Sequence, residues 1–263
     1  MKNLAFNLIS YINYRLHCRG SRWLHAPFFY QLFNRIKSDS EFHSILDFQH
    51  SLLKELKTNS TILSYKDVGA GSRLSPKKRT VRSLATTSLT PRAELRKILI
   101  LTEVIRPDYF VELGTCLGAT SLCMNRAFPK LPIITMEGAP PIAAFARQQF
   151  SQKGSATILL KEGLFKDQLP AVLQEWQHQG KGLFLIDGHH AYQPTLDYAE
   201  MIFEKATQGS VLIFDDIHWS PDMYKAWQDI KSHPQSVATI TWFRSGWVFT
   251  DPELTPGHYT WLG

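Results

Sequence analysis

Two short segments concentrate groups able to do acid–base or metal chemistry. The first is Asp187-Gly188-His189-His190-Ala191-Tyr192 and the second is Asp215-Asp216-Ile217-His218. Each follows an apolar run, Leu183–Ile186 and Val211–Phe214, that reads as a buried strand. Neighbouring strands lie about 5 Å apart, and ligands bind beyond the carboxyl ends of parallel strands. Asp187, Asp215 and Asp216 are therefore expected to converge on one spot. Three carboxylates repel one another unless something positive joins them. A hard divalent cation, Mg²⁺ or Mn²⁺, suits an all-oxygen cluster, so these three acids are the candidate metal ligands. No thiolate lies nearby to favour zinc. A metal-bound hydroxyl has a lowered pKa, so that a group placed beside it can remove its proton near neutral pH. A plainer reading stands beside this one. Asp187 and Asp216 would hydrogen-bond a cofactor's amino group or cap helices, and His190 would be a hydrogen-bonding loop residue. His189 and His218 are expected to support the site or lie exposed.

A second motif runs from Val111 to Ser121, as Val-Glu-Leu-Gly-Thr-Cys-Leu-Gly-Ala-Thr-Ser. It ends an apolar strand and opens a helix, where small residues let the backbone turn sharply and approach a ligand. Such a turn alone is common to many folds, and three features narrow it. Glu137 ends the next apolar run, where a carboxylate can accept both ribose hydroxyl protons. The glycines are spaced GxxxG, Gly114 to Gly118, rather than the GxGxxG that suits a pyrophosphate. Lys161-Glu162-Gly163 ends a third strand, where an adenine-binding turn is expected.

On these residues, Glu112–Ser121 resembles motif I of the class I S-adenosylmethionine-dependent methyltransferases, and Glu137 resembles their ribose-binding acid. The resemblance covers roughly residues 90–250. It implies cofactor binding by Glu112, Gly114, Thr115, Gly118, Ser121, Glu137, Gly138, Glu162, Gly163 and Asp187. The D-G-x-H-x-Y pattern at Asp187–Tyr192 is similar to that of metal-assisted O-methyltransferases, including sugar O-methyltransferases of antibiotic pathways. That resemblance implies Asp187 and Asp216 as metal ligands, Asp215 as a third, and catalysis by His190 with Asp187. The catechol-type branch usually has Asn at the position of Asp216. Whole-chain resemblance is strongest to bacterial methyltransferases with an N-terminal extension. The implied reaction is attack of a deprotonated hydroxyl on the methyl carbon, in line with the sulfonium, with alignment as the protein's main contribution.

The elements that must position these groups are legible as alternating patterns. Strand candidates are Tyr109–Leu113, Pro132–Met136, Thr157–Leu160, Leu183–Ile186, Val211–Phe214, Ala238–Trp242 and Trp247–Thr250. Helical patterns separate the first six, and a tight turn at Arg244-Ser245-Gly246 joins the last two. This predicts an α/β, Rossmann-like sheet of six parallel strands and one antiparallel strand, with an N-terminal helical extension. Residues 1–60 read as helical and 60–92 as a connecting or lid segment. A helix is predicted from about Pro91 to Ile105. The expected division is an extension with linker over 1–90 and a cofactor-binding catalytic domain over 91–263. Asp67-Val68-Gly69-Ala70-Gly71-Ser72 also reads like a glycine motif, but no strong strand precedes it and no acid follows at the needed spacing, so it is read as a turn. Trp23, Phe28, Phe29, Tyr30 and Phe33 either line a substrate pocket or pack a core.

Composition bounds the rest. The chain has 263 residues, 44% of them hydrophobic, enough for one large core or a core with an appendage. Residues 1–108 carry 18 Lys and Arg against 8 Asp and Glu, and the remainder carries 11 against 15. The basic half is a solvated face or an electropositive rim that attracts an anionic substrate, a partner or nucleic acid. Three cysteines without CxxC spacing argue against a disulfide framework and fit a reducing, cytoplasmic setting. The first residues read as an amphipathic helix, not a signal peptide or membrane span. The expected partner is a small hydroxylated acceptor, with no membrane and with a homodimer through the N-terminal helices as the candidate assembly. Two alternatives remain. One is a metal-independent N- or nucleic-acid methyltransferase, against which stands the absence of an Asn/Asp-Pro-Pro-Tyr/Phe motif. The other is a non-catalytic S-adenosylmethionine-binding protein, against which stands the intact Glu112, Gly114, Gly118, Glu137 and Asp187 set.

Overall fold

The computed structural model describes residues 2–18, 26–38, 41–66, 76–155 and 157–262. Trp23 and the glycine-rich Asp67–Ser72 lie outside the described residues. The chain divides into two compact units, one of residues 35–168 and one of residues 1–34 with 169–263.

The 35–168 unit holds α3 (His43–Thr58), β1 (Ile62–Lys66), β2 (Pro76–Thr80), α4 (Val81–Thr87) and α5 (Arg92–Ile105). It continues with β3 (Tyr109–Leu113), α6 (Ala119–Ala127), β4 (Ile133–Glu137), α7 (Pro140–Gln152) and β5 (Ile158–Glu162). The three strands β3, β4 and β5 are parallel, with Leu113 opposite Met136 and Glu137 opposite Glu162. Every residue of β3 is buried, as expected of a strand covered on both faces. The predicted helix after Pro91 is α5. Leu95, Ile98, Leu99, Leu101 and Ile105 form its buried face, and Arg106 ends it in the left-handed region. β1 and β2 form an antiparallel pair within the segment read as a linker, from Ile62 opposite Thr80 to Lys66 opposite Pro76. The run Pro-Lys-Lys-Arg-Thr has no apolar alternation to announce a strand, and its proline sits at the first residue, where strands tolerate one. Thr80 then caps α4, its hydroxyl accepting from Ser83 N–H.

The other unit holds α1 (Lys2–His17), most of α2 (Pro27–Lys37) and most of α8 (Phe165–Trp176). It continues with β6 (Gly182–Ile186), α9 (Tyr192–Lys205), β7 (Val211–Phe214), α10 (Pro221–Lys231), β8 (Ala238–Thr241), β9 (Gly246–Phe249) and β10 (Gly257–Thr260). Its strand order is β10-β8-β9-β7-β6. β6 and β7 are parallel neighbours with Ile186 opposite Phe214, as the acid motifs required. β9 is the antiparallel member, paired with β7 and β8. β10, parallel to β8, was not anticipated; Gly-His-Tyr-Thr is too polar and too short to read as a strand.

The fold is the expected mixed α/β, Rossmann-like architecture, a central sheet of mostly parallel strands with N-terminal helices. The compact units nonetheless divide the chain elsewhere than at residue 90. Aromatic packing is the physical reason in the 1–34 part. Phe29 is fully buried, its ring centroid 5.2 Å from Phe249 and 4.7 Å from Tyr259. Phe33 stands 5.1 Å from Trp261. These aromatics therefore pack a core, and Tyr30 is exposed. α3 instead packs on α4, α5 and α6. Among the described residues, no helix is long and apolar enough to cross a membrane.

Candidate active site

The turn after β3 is built from backbone hydrogen bonds and a buried hydroxyl network. Met136 O, in β4, accepts from both Gly114 N–H (3.0 Å) and Thr115 N–H (2.9 Å). Below the turn, Ser121 Oγ and Thr135 Oγ1 stand 2.5 and 2.7 Å from Glu112 Oε2, and Thr115 Oγ1 is 2.6 Å from Thr135 Oγ1. Glu112, Thr115 and Ser121 are buried. These three expected cofactor ligands thus support the turn from inside, and Thr135 joins them, a residue that no motif marked. Burial pushes the Glu112 carboxyl up to about 7 against the opposing hydroxyl bonds, with the Glu137 charge adding to the rise. Gly118 is buried at the start of α6 with φ 80.

Glu137 ends β4 half-exposed. Its Oε2 accepts from Cys116 N–H (3.0 Å) and its Oε1 from Ala139 N–H (2.9 Å). Burial raises its carboxyl, opposed by the N–H groups of Ala139, Cys116 and Gly138. Each carboxylate oxygen has a second lone pair. The side chain can therefore hold the turn and still accept two ribose hydroxyls. Gly163 N–H donates to Glu137 O at 2.9 Å, which sets the Glu162–Gly163 corner beside it. Glu162 is exposed and ion-paired with Arg147 at 3.0 Å.

In the other unit, Asp187 follows β6 and Asp215 and Asp216 follow β7. His189 turns the chain after β6 at φ 57, its Nδ1 3.1 Å from the Tyr198 hydroxyl of α9. This turn brings His190 Nε2 to 3.8 Å from Asp187 Oδ1 and 4.0 Å from Asp216 Oδ2. Both exceed hydrogen-bond length. Among the described residues, His190 Nδ1 is buried with no hydrogen-bond partner. Asp216 adopts φ 52. Asp215 is buried, and Arg244 Nε lies 2.9 and 3.1 Å from its two oxygens, with Arg244 Nη2 2.6 Å from Oδ2. The same Nη2 lies 3.3 Å from Asp216 Oδ1. Burial opposes the guanidinium charge, but the bonds to Asp215 and the charges of Asp215, Asp216 and Asp187 raise its pKa above its ordinary value.

The methyltransferase-domain family matches residues 111–217, from β3 to the loop after β7. This match spans 107 of the 263 residues. Solved structures are similar in fold over most of the chain. PaMTH1, an SAH-bound methyltransferase of Podospora anserina, is similar with TM-score 0.59 and 12% identity over 84% of this chain and 94% of that one. Cofactor-bound Rv0187 from MTB gives 0.55 and 15% over 81% and 93%. The O-methyltransferase from Bacillus cereus in complex with SAH gives 0.51 and 14% over 76% and 84%. At these identities the likeness is one of fold. No curated protein sequence matches the chain.

The side chains that follow β6 and β7 do not fit the expected metal set of Asp187, Asp215 and Asp216. Both oxygens of Asp215 are occupied by Arg244, and a cation bound at Asp216 would sit against the same guanidinium. Among the described residues no group of three or more His, Cys, Asp and Glu is arranged to hold a metal ion. His218, expected to support the site or lie exposed, is buried. Its Nδ1 donates to Phe243 O at 2.6 Å, and its ring stacks on Phe243 at 4.9 Å. Burial lowers its pKa, which suits a neutral packing role. Arg244 is the residue that sequence reasoning missed, although the turn that carries it was recognised.

Proposed function

We propose that this chain methylates a hydroxyl group of a small molecule, with S-adenosylmethionine as donor and His190 as general base. The observation that carries the reading is the His190 imidazole set between Asp187 and Asp216, with Nε2 beyond hydrogen-bond reach of either acid. That nitrogen keeps its lone pair for an incoming hydroxyl. A general base must come within about 2.6–3.2 Å of the group it deprotonates. After proton transfer, the two carboxylates lie beside the positive imidazolium. S-adenosylmethionine, when bound, supplies an electrophilic methyl group. Glu137 would hold its ribose through the two unused carboxylate lone pairs, and the turn from Gly114 to Gly118 would flank it, with Gly138, Glu162 and Gly163 at the adenine side. Glu112, Thr115 and Ser121 would act from beneath, by holding that turn in shape. No step of this reading passes through a metal.

Glu137→Ala should weaken S-adenosylmethionine binding by roughly 1.5–3 kcal/mol, the size of hydrogen bonds to a charged group, measured by calorimetry. Unchanged affinity would remove Glu137 from the cofactor site. Labelled methyl offered to a panel of hydroxyl, amine and thiol acceptors tests the reaction class. Transfer confined to amines would overturn the O-methyl reading.

A further inference from the structure

The acid cluster of the 1–34/169–263 unit poses a charge problem that the fold solves with its own side chain. Phe214, the last residue of β7, lies opposite Gly246, the first of β9. The register sets the tip of the β8–β9 hairpin beside the loop that begins at Asp215. Two bonds to main-chain carbonyls fix the tip there. Arg244 O accepts from Ile217 N–H at 3.0 Å, and Phe243 O accepts from His218 Nδ1 at 2.6 Å. Trp242 N–H closes the turn on Ser245 O at 2.8 Å. From this anchored position Arg244 reaches Asp215 through two nitrogens, in the bidentate geometry that guanidinium and carboxylate share. Its Nη2 also reaches Asp216 Oδ1, while Asp216 Oδ2 faces His190.

We propose that Arg244 stands where a divalent cation would otherwise be needed: its guanidinium joins the acids and orients Asp216 toward His190, so that the site works without metal. Arg244 is a positioning residue in this scheme. It touches neither acceptor nor donor and acts through Asp216. The pair with Asp215 balances one charge, and the contact with Asp216 fixes which oxygen of that carboxylate turns to the imidazole. A cation at the same place would have to displace a bidentate ion pair whose carboxylate is buried and whose guanidinium is part-buried. The scheme rests on the proposed role of His190 for its catalytic consequence, but its metal prediction does not.

Mn²⁺ titration, followed by the electron paramagnetic resonance of unbound Mn²⁺, tests it on the full chain without any acceptor. The wild type should show no saturable site. Arg244→Gln removes the guanidinium that spans Asp215 and Asp216, so it should gain a saturable Mn²⁺ site at least roughly tenfold tighter than any wild-type binding, since affinity follows the charge count of the ligands. Asp216→Asn added to that variant should remove the new site. Should Arg244→Gln fail to fold because Asp215 is left buried and unpaired, the double variant Asp215→Asn/Arg244→Gln replaces the pair by neutral groups of similar shape. It too should gain Mn²⁺ binding, through Asp187 and Asp216. Saturable wild-type binding that Asp216→Asn abolishes would overturn the proposal. So would a folded Arg244 variant that gains no site. Neither result touches the cofactor reading, which stands or falls on Glu137 and S-adenosylmethionine affinity.

Discussion

A Cβ placed on Gly118 would stand 2.5 Å from Cε1 of Phe150. Gly118 opens α6 and Phe150 is a buried residue of α7, so the second glycine of the GxxxG turn is required first by helix packing. Its φ of 80 adds a second reason, because L-residues reach that region only with strain. Gly118→Ala should therefore destabilise the fold by roughly 2–4 kcal/mol, the sum of left-handed strain and overpacking. The denaturant midpoint should fall with little change in slope. Gly118→Ala/Phe150→Leu should recover part of the loss. A fully stable alanine variant that fails only in cofactor binding would place the glycine's role at the ligand instead.

Glu112 predicts a pH dependence of stability. Its folded pKa is about 7, against 4.5 as the ordinary value. A group raised on folding contributes stability that is fully present below the unfolded pKa and lost as pH rises through the folded one. Glu112→Gln mimics the protonated form and can keep both hydroxyl contacts. The variant should match wild type near pH 4.5 and become more stable than it by on the order of 3 kcal/mol above pH 7, one pKa unit being about 1.4 kcal/mol. Urea unfolding of both proteins across this range checks it. A stability difference independent of pH would mean that Glu112 does not titrate in the folded state.

The three thiols should differ in reactivity. Cys123 is fully buried in α6, and burial pushes its thiol up to about 12, with the Glu112 charge adding to the effect. The thiolate is the reactive form, so Cys123 should resist iodoacetamide. Cys116 is half-buried in the turn after β3, at φ 47, and should be alkylated. S-adenosylmethionine should protect Cys116 and leave labelling of Cys18 unchanged, read by peptide mass analysis. Equal labelling of Cys116 with and without cofactor would argue that the turn does not border it.

What the sequence announced and what it concealed follow from how each feature is encoded. Asp187 and Asp215 were legible because each ends a continuous apolar run, and parallel strands deliver their carboxyl ends to one side. The pairing of Ile186 with Phe214 bears this out. Arg244 was visible as a turn residue, but its partner depends on the antiparallel register of Phe214 with Gly246, which no local pattern specifies. The metal expectation did not reckon with Arg244, because this positive charge arrives from 29 residues further along the chain. Thr135 was hidden for a related reason. It lies inside an apolar strand, and only the pairing of β3 with β4, with Glu112 opposite Thr135, brings its hydroxyl to the carboxylate. β10 escaped because its polar residues are held as a strand by their neighbour β8 rather than by their own alternation.

His190→Ala tests the chemistry most directly. The imidazole is held by its neighbours, since the His189 turn is pinned to Tyr198 and Ala191 N–H closes on His189 O. Removing the ring should leave that turn, the Arg244–Asp215 pair and the cofactor turn in place. Affinity for S-adenosylmethionine should stay within about twofold, less than 1 kcal/mol. Turnover should fall about 10²–10⁴-fold, the usual contribution of a general acid–base group. The loss should appear in kcat more than in KM, because the proton moves only as the methyl transfers. Part of the rate should return at high pH, where the acceptor hydroxyl ionises unaided, and more return is expected for acceptors of lower pKa. A variant that keeps full activity would exclude His190 as base. A variant whose loss is the same at every pH and for every acceptor would assign the ring to packing between Asp187 and Asp216, and the proton would then have to leave by one of those two carboxylates.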